Sequence, residues 1–416
     1  DTLVAYQTEK LHKIIAHAYN TVPFYKDLFD QIKVKPGDIK CTDDLQLLPV
    51  LEKETFRKNH QKLLSTDVRE KISTSSTGGS TGVPLLIAKN YDSATIENAL
   101  FNRFYFCLGY DWGDEIIQFW GDRPNISSTL KLKKYISRKI YNYSFFSTFD
   151  GIDESFDEIV VRLQTAPPKI LRGYTSAIYR LACKTVERGV TLHLNAVSTT
   201  AEKLYDFQRN RIRDAFGENI FDQYGCGETN SLAFECEKHR GLHVASEHVI
   251  LETIDDDGQR ARRGRVLITN LDNYAMPLIR YANGDEATWS SAVCDCKRET
   301  PLLESIDGRI YDYIQGPNGR KIHTGFLDDL LVDLALARKT AIKEFRIVQS
   351  HIDKLTVEFV SDENFSDKEK NIIENTIEQY LGKMTIDYNR MDSIPLTRMG
   401  KKMFVLSLLN KDRWAA

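Results

Sequence analysis

The chain has 416 residues, 42 % hydrophobic and 28 % charged, which suits two or three soluble globular domains. Its net charge of −3 gives no global attraction to nucleic acid or to anionic membranes. No apolar run approaches bilayer-spanning length and none reads as a signal peptide, so the chain reads as cytosolic.

Residues 3–20 have helical apolar spacing through Leu3, Leu11, Ile14, Ile15 and Ala18. Pro23-Phe24-Tyr25 opens a second short helix, and Leu48-Pro49-Val50 turns into another at Lys53. The stretch from Ser73 to Pro84 packs three glycines and seven hydroxyl side chains into twelve residues, and Leu85-Leu86-Ile87-Ala88 follows as a strand. Glycines expose backbone N–H groups and hydroxyls add donors, so such a loop can wrap a phosphate. It is not a Walker A loop, since Val83 follows Gly82, and a flexible Ser/Gly linker is the alternative. Residues 91–108 form an amphipathic helix, and Ile116 to Trp120 a buried strand ending at Gly121. Residues 130–149 interleave lysines and aromatics, which a solvated helix with one aromatic face explains more simply than nucleic-acid binding.

Helix 153–165, strand 169–172, helix 175–188, strand 193–197, helix 201–216 and strand 220–225 then alternate, implying a mostly parallel sheet with crossover helices. Residues 243–253 and 264–271 read as strands of a β-rich part. Beyond residue 309 the order changes: strand 309–314, helix 325–337, strands 343–349 and 354–360, helix 366–381, and strands 384–390 and 402–408. A domain boundary is expected at Gly308-Arg309-Ile310-Tyr311-Asp312.

Four further stretches carry chemistry in order: Asp222-Gln223-Tyr224-Gly225-Cys226-Gly227-Glu228, Met276 to Asp285, Gly308 to Asp312, and Ile394 to Lys401. With the glycine-rich loop, they resemble the adenylate-forming (acyl-CoA synthetase) superfamily. Within it the chain resembles the phenylacetate–CoA ligase branch and the CapK-like proteins of capsule polysaccharide biosynthesis. The opening Thr21-Val22-Pro23-Phe24-Tyr25 and the Leu48-Pro49-Val50 segment with Lys53 are typical of that branch. The fold expected is α/β. A large N-terminal nucleotide- and acid-binding domain, residues 1–308, has mostly parallel sheets and a β-rich subdomain at about 230–305. A small mobile α+β C-terminal domain, residues 309–416, carries Lys401.

The resemblance implies a role for each matching position. Ser76, Thr77, Gly78, Gly79, Ser80, Thr81 and Gly82 hold the β- and γ-phosphates of ATP. Tyr224 stacks on adenine, Gly225 lets the backbone come close, and Ala201 and Glu202 line the adenine pocket. Glu228 binds Mg²⁺, which favours one or two carboxylates with phosphate oxygens and water. Asp285 accepts from the ribose hydroxyls and Arg309 is a second ribose or phosphate contact. Lys401 reaches the α-phosphate and carboxylate, while Tyr311 and Asp312 form the hinge. Attack of a carboxylate on the α-phosphate brings two anions together, and backbone N–H groups, Mg²⁺ and a lysine offset that charge. Departures occur at Tyr281-Ala282-Asn283-Gly284-Asp285, where the family often has Tyr-Arg-Thr-Gly-Asp, and at Tyr311 and Leu396.

The seven cysteines are scattered and do not form a disulfide framework. Cys236, His239, His243, Cys294 and Cys296 fit a structural Cys₃His zinc site, and His243 matches the branch better than His239. Buried, reduced cysteines are the alternative. The reaction implied is ATP-dependent activation of a carboxylic acid to acyl-AMP, with transfer to coenzyme A. Transfer to an amine of a sugar or amino acid is the CapK-like alternative, and a non-catalytic nucleotide-binding protein a third. The acid pocket is expected between Trp120-Gly121, Gly173-Tyr174 and Gly225-Cys226-Gly227, with no cation at those positions to hold a second charge. The residues leave open the acid, the acceptor and the oligomer; a homodimer is compatible with the resemblance.

Overall fold

The computed structural model describes residues 2–67, 72–76, 86–120, 136, 138–147, 155–309, 313–319, 321–323, 342–361, 366–395 and 405–409. Thr77, Gly78, Gly79, Ser80, Thr81, Gly82, Gly121, Tyr311, Asp312 and Lys401 lie outside them, as does the helix expected at 325–337.

Two N-terminal helices, α1 (Thr2–Thr21) and α2 (Pro23–Ile32), follow the apolar spacing, with Pro23 in the first turn of α2 where its missing N–H is not needed. Leu11, Ile14, Ile15, Tyr25 and Phe29 share one core with Leu271, Met276, Leu278, Ile279 and Tyr281. The Tyr25 hydroxyl donates to the Pro277 carbonyl and accepts from the Ile279 N–H, both at 3.0 Å. Leu51 adds two backbone bonds: its N–H meets the Arg280 carbonyl at 3.0 Å and its carbonyl takes the Ala282 N–H at 3.1 Å. The Thr21–Tyr25 and Leu48–Val50 stretches therefore share one physical role. They fix the chain where it enters the strand that ends its motif in Asp285.

The two ends of the glycine- and hydroxyl-rich stretch meet in an antiparallel pair, β1 (Ser73–Ser76) with β2 (Leu86–Lys89). After helix α4 (Tyr91–Cys107; a short α3 covers Lys53–Lys58) comes β3 (Ile116–Trp120). Residues 143–147 correct an expectation. They form β4 (Tyr143–Ser147), a strand parallel to β3, because Tyr143, Phe145 and Phe146 find partners in the sheet. Phe146 stacks on Phe119 at 5.3 Å between centroids, and the Arg138 guanidinium lies 4.0 Å from the centre of the Phe145 ring.

The alternation then proceeds: α5 (Phe156–Thr165), β5 (Ile170–Tyr174), α6 (Thr175–Glu187), β6 (Val197–Thr200), α7 (Asp206–Phe216) and β7 (Ile220–Tyr224). The strand expected at 193–197 begins only at Val197, since Leu192 and Leu194 bond to the end of α7 instead. The stretch 243–253 divides into β9 (Leu242–Val244) and β10 (Val249–Ile254), after β8 (Ala233–Glu235). Next come β11 (Arg263–Asn270), β12 (Tyr281–Trp289) and β13 (Leu302–Arg309), so Arg309 closes a strand rather than opening one.

These elements form one sheet in the order β10-β11-β12-β13-β9-β8-β7-β6-β5-β3-β4. It is parallel from β4 to β7 and antiparallel from β7 outward, so the β-rich part continues the same sheet. Helices α5, α6 and α7 cover one face of the parallel half through Ile159, Leu163, Ile178, Leu181 and Ile212. Helix α4 covers the other through Leu100 and Phe104.

In the C-terminal part, β14 (Tyr313–Gln315) pairs with β15 (Lys321–His323). A second sheet follows, of β16 (Ile342–His351), β17 (Lys354–Ser361), β18 (Thr385–Arg390) and β19 (Val405–Ser407), in the order β18-β17-β16-β19 with helix α8 (Asp367–Leu381). Its core of Ile347, Leu355, Val357, Ile373, Ile377 and Leu381 takes in Phe207 of α7, with Tyr179 and Tyr205 packed beside it. The small α/β domain thus rests on α7.

Replacing Tyr25 by Phe leaves the Pro277 carbonyl and the Ile279 N–H buried without their shared partner. Chemical denaturation should show a loss of about 1–3 kcal/mol. An unchanged midpoint would mean that the hydroxyl bridge contributes nothing.

Candidate functional site

Strand β7 is the seam between the parallel and antiparallel halves of the sheet, and it ends at Tyr224. The chain turns at once, and a Cβ on Gly225 would lie 1.7 Å from the Asn230 carbonyl oxygen. The close approach that Gly225 permits is therefore to its own turn. That turn presents Glu228, 4 % exposed, whose Oε1 accepts the Tyr281 hydroxyl at 2.8 Å. Asn230 anchors the turn's far side by donating to Glu97 Oε2 at 2.6 Å. Glu97 in turn accepts Lys89 Nζ at 2.7 and 2.9 Å, with both side chains 4 % exposed. Breaking a buried pair by removing one partner costs about 3–5 kcal/mol. The strand leaving the glycine-rich stretch, helix α4 and the Glu228 turn are thereby tied together.

Tyr281, Asn283 and Asp285 alternate along β12 and share one face. The Tyr224 hydroxyl donates to Asp285 Oδ2 at 2.8 Å, and Asn283 Nδ2 donates to the same oxygen at 2.6 Å and to the Tyr224 hydroxyl at 2.9 Å. Asn283 Oδ1 accepts the Asp285 N–H at 3.0 Å. Burial, with Asp285 beside it, holds the Tyr224 hydroxyl far above its ordinary pKa, so it stays a neutral donor. Asn283 stands where the family often has threonine. Its amide completes the three-residue bond set, a role that its place in the motif did not reveal. Tyr281, which orients Glu228, and the Lys89–Glu97 pair were likewise not singled out from sequence. Their signal was two charged residues eight apart across a strand–helix junction and an aromatic four before Asp285.

Ala201 adopts a left-handed φ of 68°, and Glu202 accepts the Ser176 N–H at 2.7 Å, capping the start of α6. Trp120 and Tyr174 come together at the ends of β3 and β5, ring centroids 4.3 Å apart. Gly173 before Tyr174 is packed against Phe119, whose Cβ would lie 2.9 Å from a Cβ there. Gly227 lies on the turn after β7, with β6 between that strand and β5.

A second cluster gathers residues of the β8–β9 connection, strand β9 and the β12–β13 connection. Cys236, His243, Cys294 and Cys296 place one ligand atom each within 4.8 Å of all the others. Cys236 Sγ is 3.6 Å from Cys294 Sγ, and Cys296 Sγ is 3.2 Å from His243 Nε2. A tetrahedral zinc site has edges of about 3.8 Å between sulfurs and about 3.5 Å between sulfur and nitrogen, so the donor set fits such an ion. The other ring nitrogen of His243 meets Thr300 Oγ1 at 3.2 Å, the outer partner that orients a ligating histidine. Burial pushes the Cys236 thiol up to about 12 and lowers the His243 pKa, keeping the imidazole neutral. His239 is outside the cluster: its Nδ1 lies 3.0 Å from Glu235 Oε1 and its ring packs on Phe221.

Two residues before Tyr224 on β7, Asp222 Oδ1 accepts from Gln223 N–H at 2.9 Å and Thr199 Oγ1 at 3.1 Å. Burial, with Glu235 as a like-charged neighbour, raises its carboxyl to about 7, against the pull of Arg209. An acid raised in the fold binds a proton that the unfolded chain has lost. Its stabilising share is complete below the ordinary carboxylate range and vanishes as pH rises through about 7. Asp222→Asn keeps the acceptor and cannot ionise. Relative to the parent it should gain about 1–3 kcal/mol between about pH 5 and about pH 8 in urea titrations. A difference independent of pH would exclude Asp222 as the titrating group.

Comparison with known proteins agrees with this architecture. Residues 314–407 match the CapK C-terminal domain family. The chain is 24 % identical to a phenylacetate–coenzyme A ligase of Thermus thermophilus over 340 residues, 76 % of this chain and 72 % of that one. It is 23 % identical to the protein CapK of Staphylococcus aureus over 412 residues, 96 % of this chain and 88 % of that one. Among solved structures, 2-hydroxyisobutyryl-CoA ligase in its postadenylation state superposes with a TM-score of 0.74 at 19 % identity, covering 99 % of this chain and 92 % of that chain. The C-terminal family match, relatives spanning both parts of the chain and a common fold thus make this chain similar to the phenylacetate–CoA ligase- and CapK-like branch of the adenylate-forming proteins.

Proposed function

We propose that the chain is an AMP-forming ligase: it activates a carboxylic acid with ATP, releases pyrophosphate and passes the acyl group from acyl-AMP to coenzyme A. The observation that carries this reading is the pair of acids gathered beside the end of β7, buried Glu228 and half-buried Asp285, each held by a tyrosine: Glu228 by Tyr281 and Asp285 by Tyr224. A carboxylate oriented beside a phosphate-binding hairpin suits Mg²⁺, which would neutralise charge on the phosphates. Asp285, fixed by Asn283 and Tyr224, suits the ribose hydroxyls, with Arg309 as a second contact. Ser76 to Gly82 are assigned to the phosphates, Tyr224, Ala201 and Glu202 to the adenine pocket, and Lys401 to the α-phosphate during adenylation. The hinge at Tyr311 and Asp312 would let Lys401 withdraw before the acceptor approaches the same carbonyl carbon.

The acceptor has a second reading. The match of residues 314–407 to the CapK C-terminal domain supports transfer to an amine of a sugar or amino acid instead. Thioester formation that requires coenzyme A separates the two. A non-catalytic nucleotide-binding protein would show neither product.

Glu228→Gln and Lys401→Ala should each lower acid-dependent ATP–pyrophosphate exchange by about 10²–10³-fold. In Lys401→Ala, transfer from supplied acyl-AMP should be spared. Near-normal exchange in Glu228→Gln would remove Glu228 from the site.

We further propose that Cys236, His243, Cys294 and Cys296 hold a structural zinc that ties β9 to the β12–β13 connection. Elemental analysis should find about one zinc per chain. Cys296→Ser should lose metal and melting temperature together, because the binding energy of a structural site is folding energy. Fully stable protein purified without metal would refute it.

A further inference from the structure

The face of the parallel sheet that meets α4 carries a cation without an acid. Arg172, at the middle of β5, is in register with Gln118 of β3 and Ser198 of β6. Its guanidinium carbon lies 5.2 Å from the centre of the Phe101 ring and 5.1 Å from that of Trp120. Nε is buried with no hydrogen-bond partner, and no carboxylate among the described residues forms an ion pair with it. Two more buried atoms on the same face are in the same condition. Ser198 Oγ neighbours Arg172 in the sheet. Gln223 Oε1, one position before Tyr224, is in register with Thr200, two residues beyond Ser198. Arg172 as a whole is half-buried, and the buried cation Lys89 is already paired with Glu97. Native interiors pair nearly all their buried polar groups, so three orphans on one face mark the place of a ligand.

We infer that Arg172 holds a second carboxylate on the acid that this chain activates, and that the substrate class is a short dicarboxylic acid. This rests on the carboxylate-activation reading above and names its substrate. Trp120 and Tyr174 pack together, their rings tilted by 37°, at the ends of β3 and β5, and Arg172 lies two residues deeper on β5, about 7 Å along the strand. The reacting carboxylate belongs at that edge, beside the Glu228 turn, and the second one row below. A guanidinium offers a carboxylate two parallel donors, and the Nε edge is one such fork. The rings of Phe101 and Trp120 restrict the guanidinium and exclude water from its faces. Ser198 Oγ adds a donor beside it, and Gln223 Oε1 suits a hydroxyl on the carbon chain. The cation that the motifs around Trp120 and Tyr174 do not contain is supplied by the residue preceding Gly173.

The test compares ATP–pyrophosphate exchange with succinate, glutarate, malate and phthalate against butyrate, valerate, 3-hydroxybutyrate and benzoate. It uses the full chain, Arg172→Met and Arg172→Lys. Calorimetry of each unreacted diacid binding to the same proteins is the second readout. At least one diacid should exceed its monoacid by about 30-fold or more in exchange efficiency, and Arg172→Met should reduce that ratio to about threefold or less without slowing the monoacid. Arg172→Lys, which keeps the charge and loses the fork, should fall between. If Arg172→Met does not fold, the parent ratio and Arg172→Lys decide. Exchange with monoacids and no diacid preference, or a preference that Arg172→Met leaves intact, overturns the inference and leaves carboxylate activation standing. Diacid binding that needs Arg172 in a chain inactive with every acid supports the anion site and refutes activation. Neither binding nor exchange refutes both.

Discussion

Arg280 is a buried cation in a left-handed conformation, with a φ of 49°, at the residue before β12 begins. Its Nε lies 3.2 Å from Glu252 Oε2, and Nη1 donates to the Leu48 carbonyl at 2.5 Å. Arg280 and Glu252 side chains are only 5 % and 3 % exposed, so the guanidinium has no alternative partner in water. A non-glycine residue at positive φ is strained and persists only where its surroundings over-determine it. Here they do: the pair sets the residue at which the strand starts. Because side chains alternate along a strand, a shift of one residue would turn Tyr281, Asn283 and Asp285 away from Tyr224 and Glu228. The polar site at the end of β7 therefore depends on an ion pair that touches none of its members.

The same logic explains why N-terminal motifs far from the site belong to its chemistry. Tyr25 and Leu51 bond to residues 277–282, so more than two hundred positions of sequence separate partners that meet in one core. On the other side of β7, the Lys89–Glu97–Asn230 chain joins the hairpin of the glycine-rich stretch to the turn that carries Glu228. A catalytic arrangement that stabilises charge gains most when its groups are fixed before the reaction, since no reorganisation is then needed. Both anchors are buried and hydrogen-bonded, which is the form in which a charge can be held rigidly.

The seam in the sheet has a related consequence. Parallel strands end together on one edge, where their following turns can gather around a ligand. Strand β7 has parallel β6 on one side and antiparallel β8 on the other. Residues arriving from β12 thus meet residues leaving β7. The Trp120–Tyr174 pair, the Tyr224–Asp285 and Tyr281–Glu228 contacts and the Cys/His cluster share one sheet, with the cluster set where β13 comes beside β9.

What the sequence determined by itself was whatever depends on short-range spacing. The apolar period of α1 and α2, the alternation from α5 to β7, the turn glycines and the order of the nucleotide motifs are local properties. Tyr224, Glu228 and Asp285 could be singled out because each sits in such a motif. Tertiary structure decided the rest, because it depends on which distant residues share a face. Residues 143–147 became a strand because β3 offered an edge. His243 rather than His239 joined the cysteines because β9 pairs with β13, while His239 turned toward Glu235. Asn283 looked like a departure from a motif until its amide was seen bonded to both Tyr224 and Asp285. Arg172 is one charge among 56 lysines and arginines in the sequence. Only the packing of Phe101 and Trp120 around it, with Nε buried and unbonded, sets it apart, because a buried atom without a partner is a property of the fold and not of the chain.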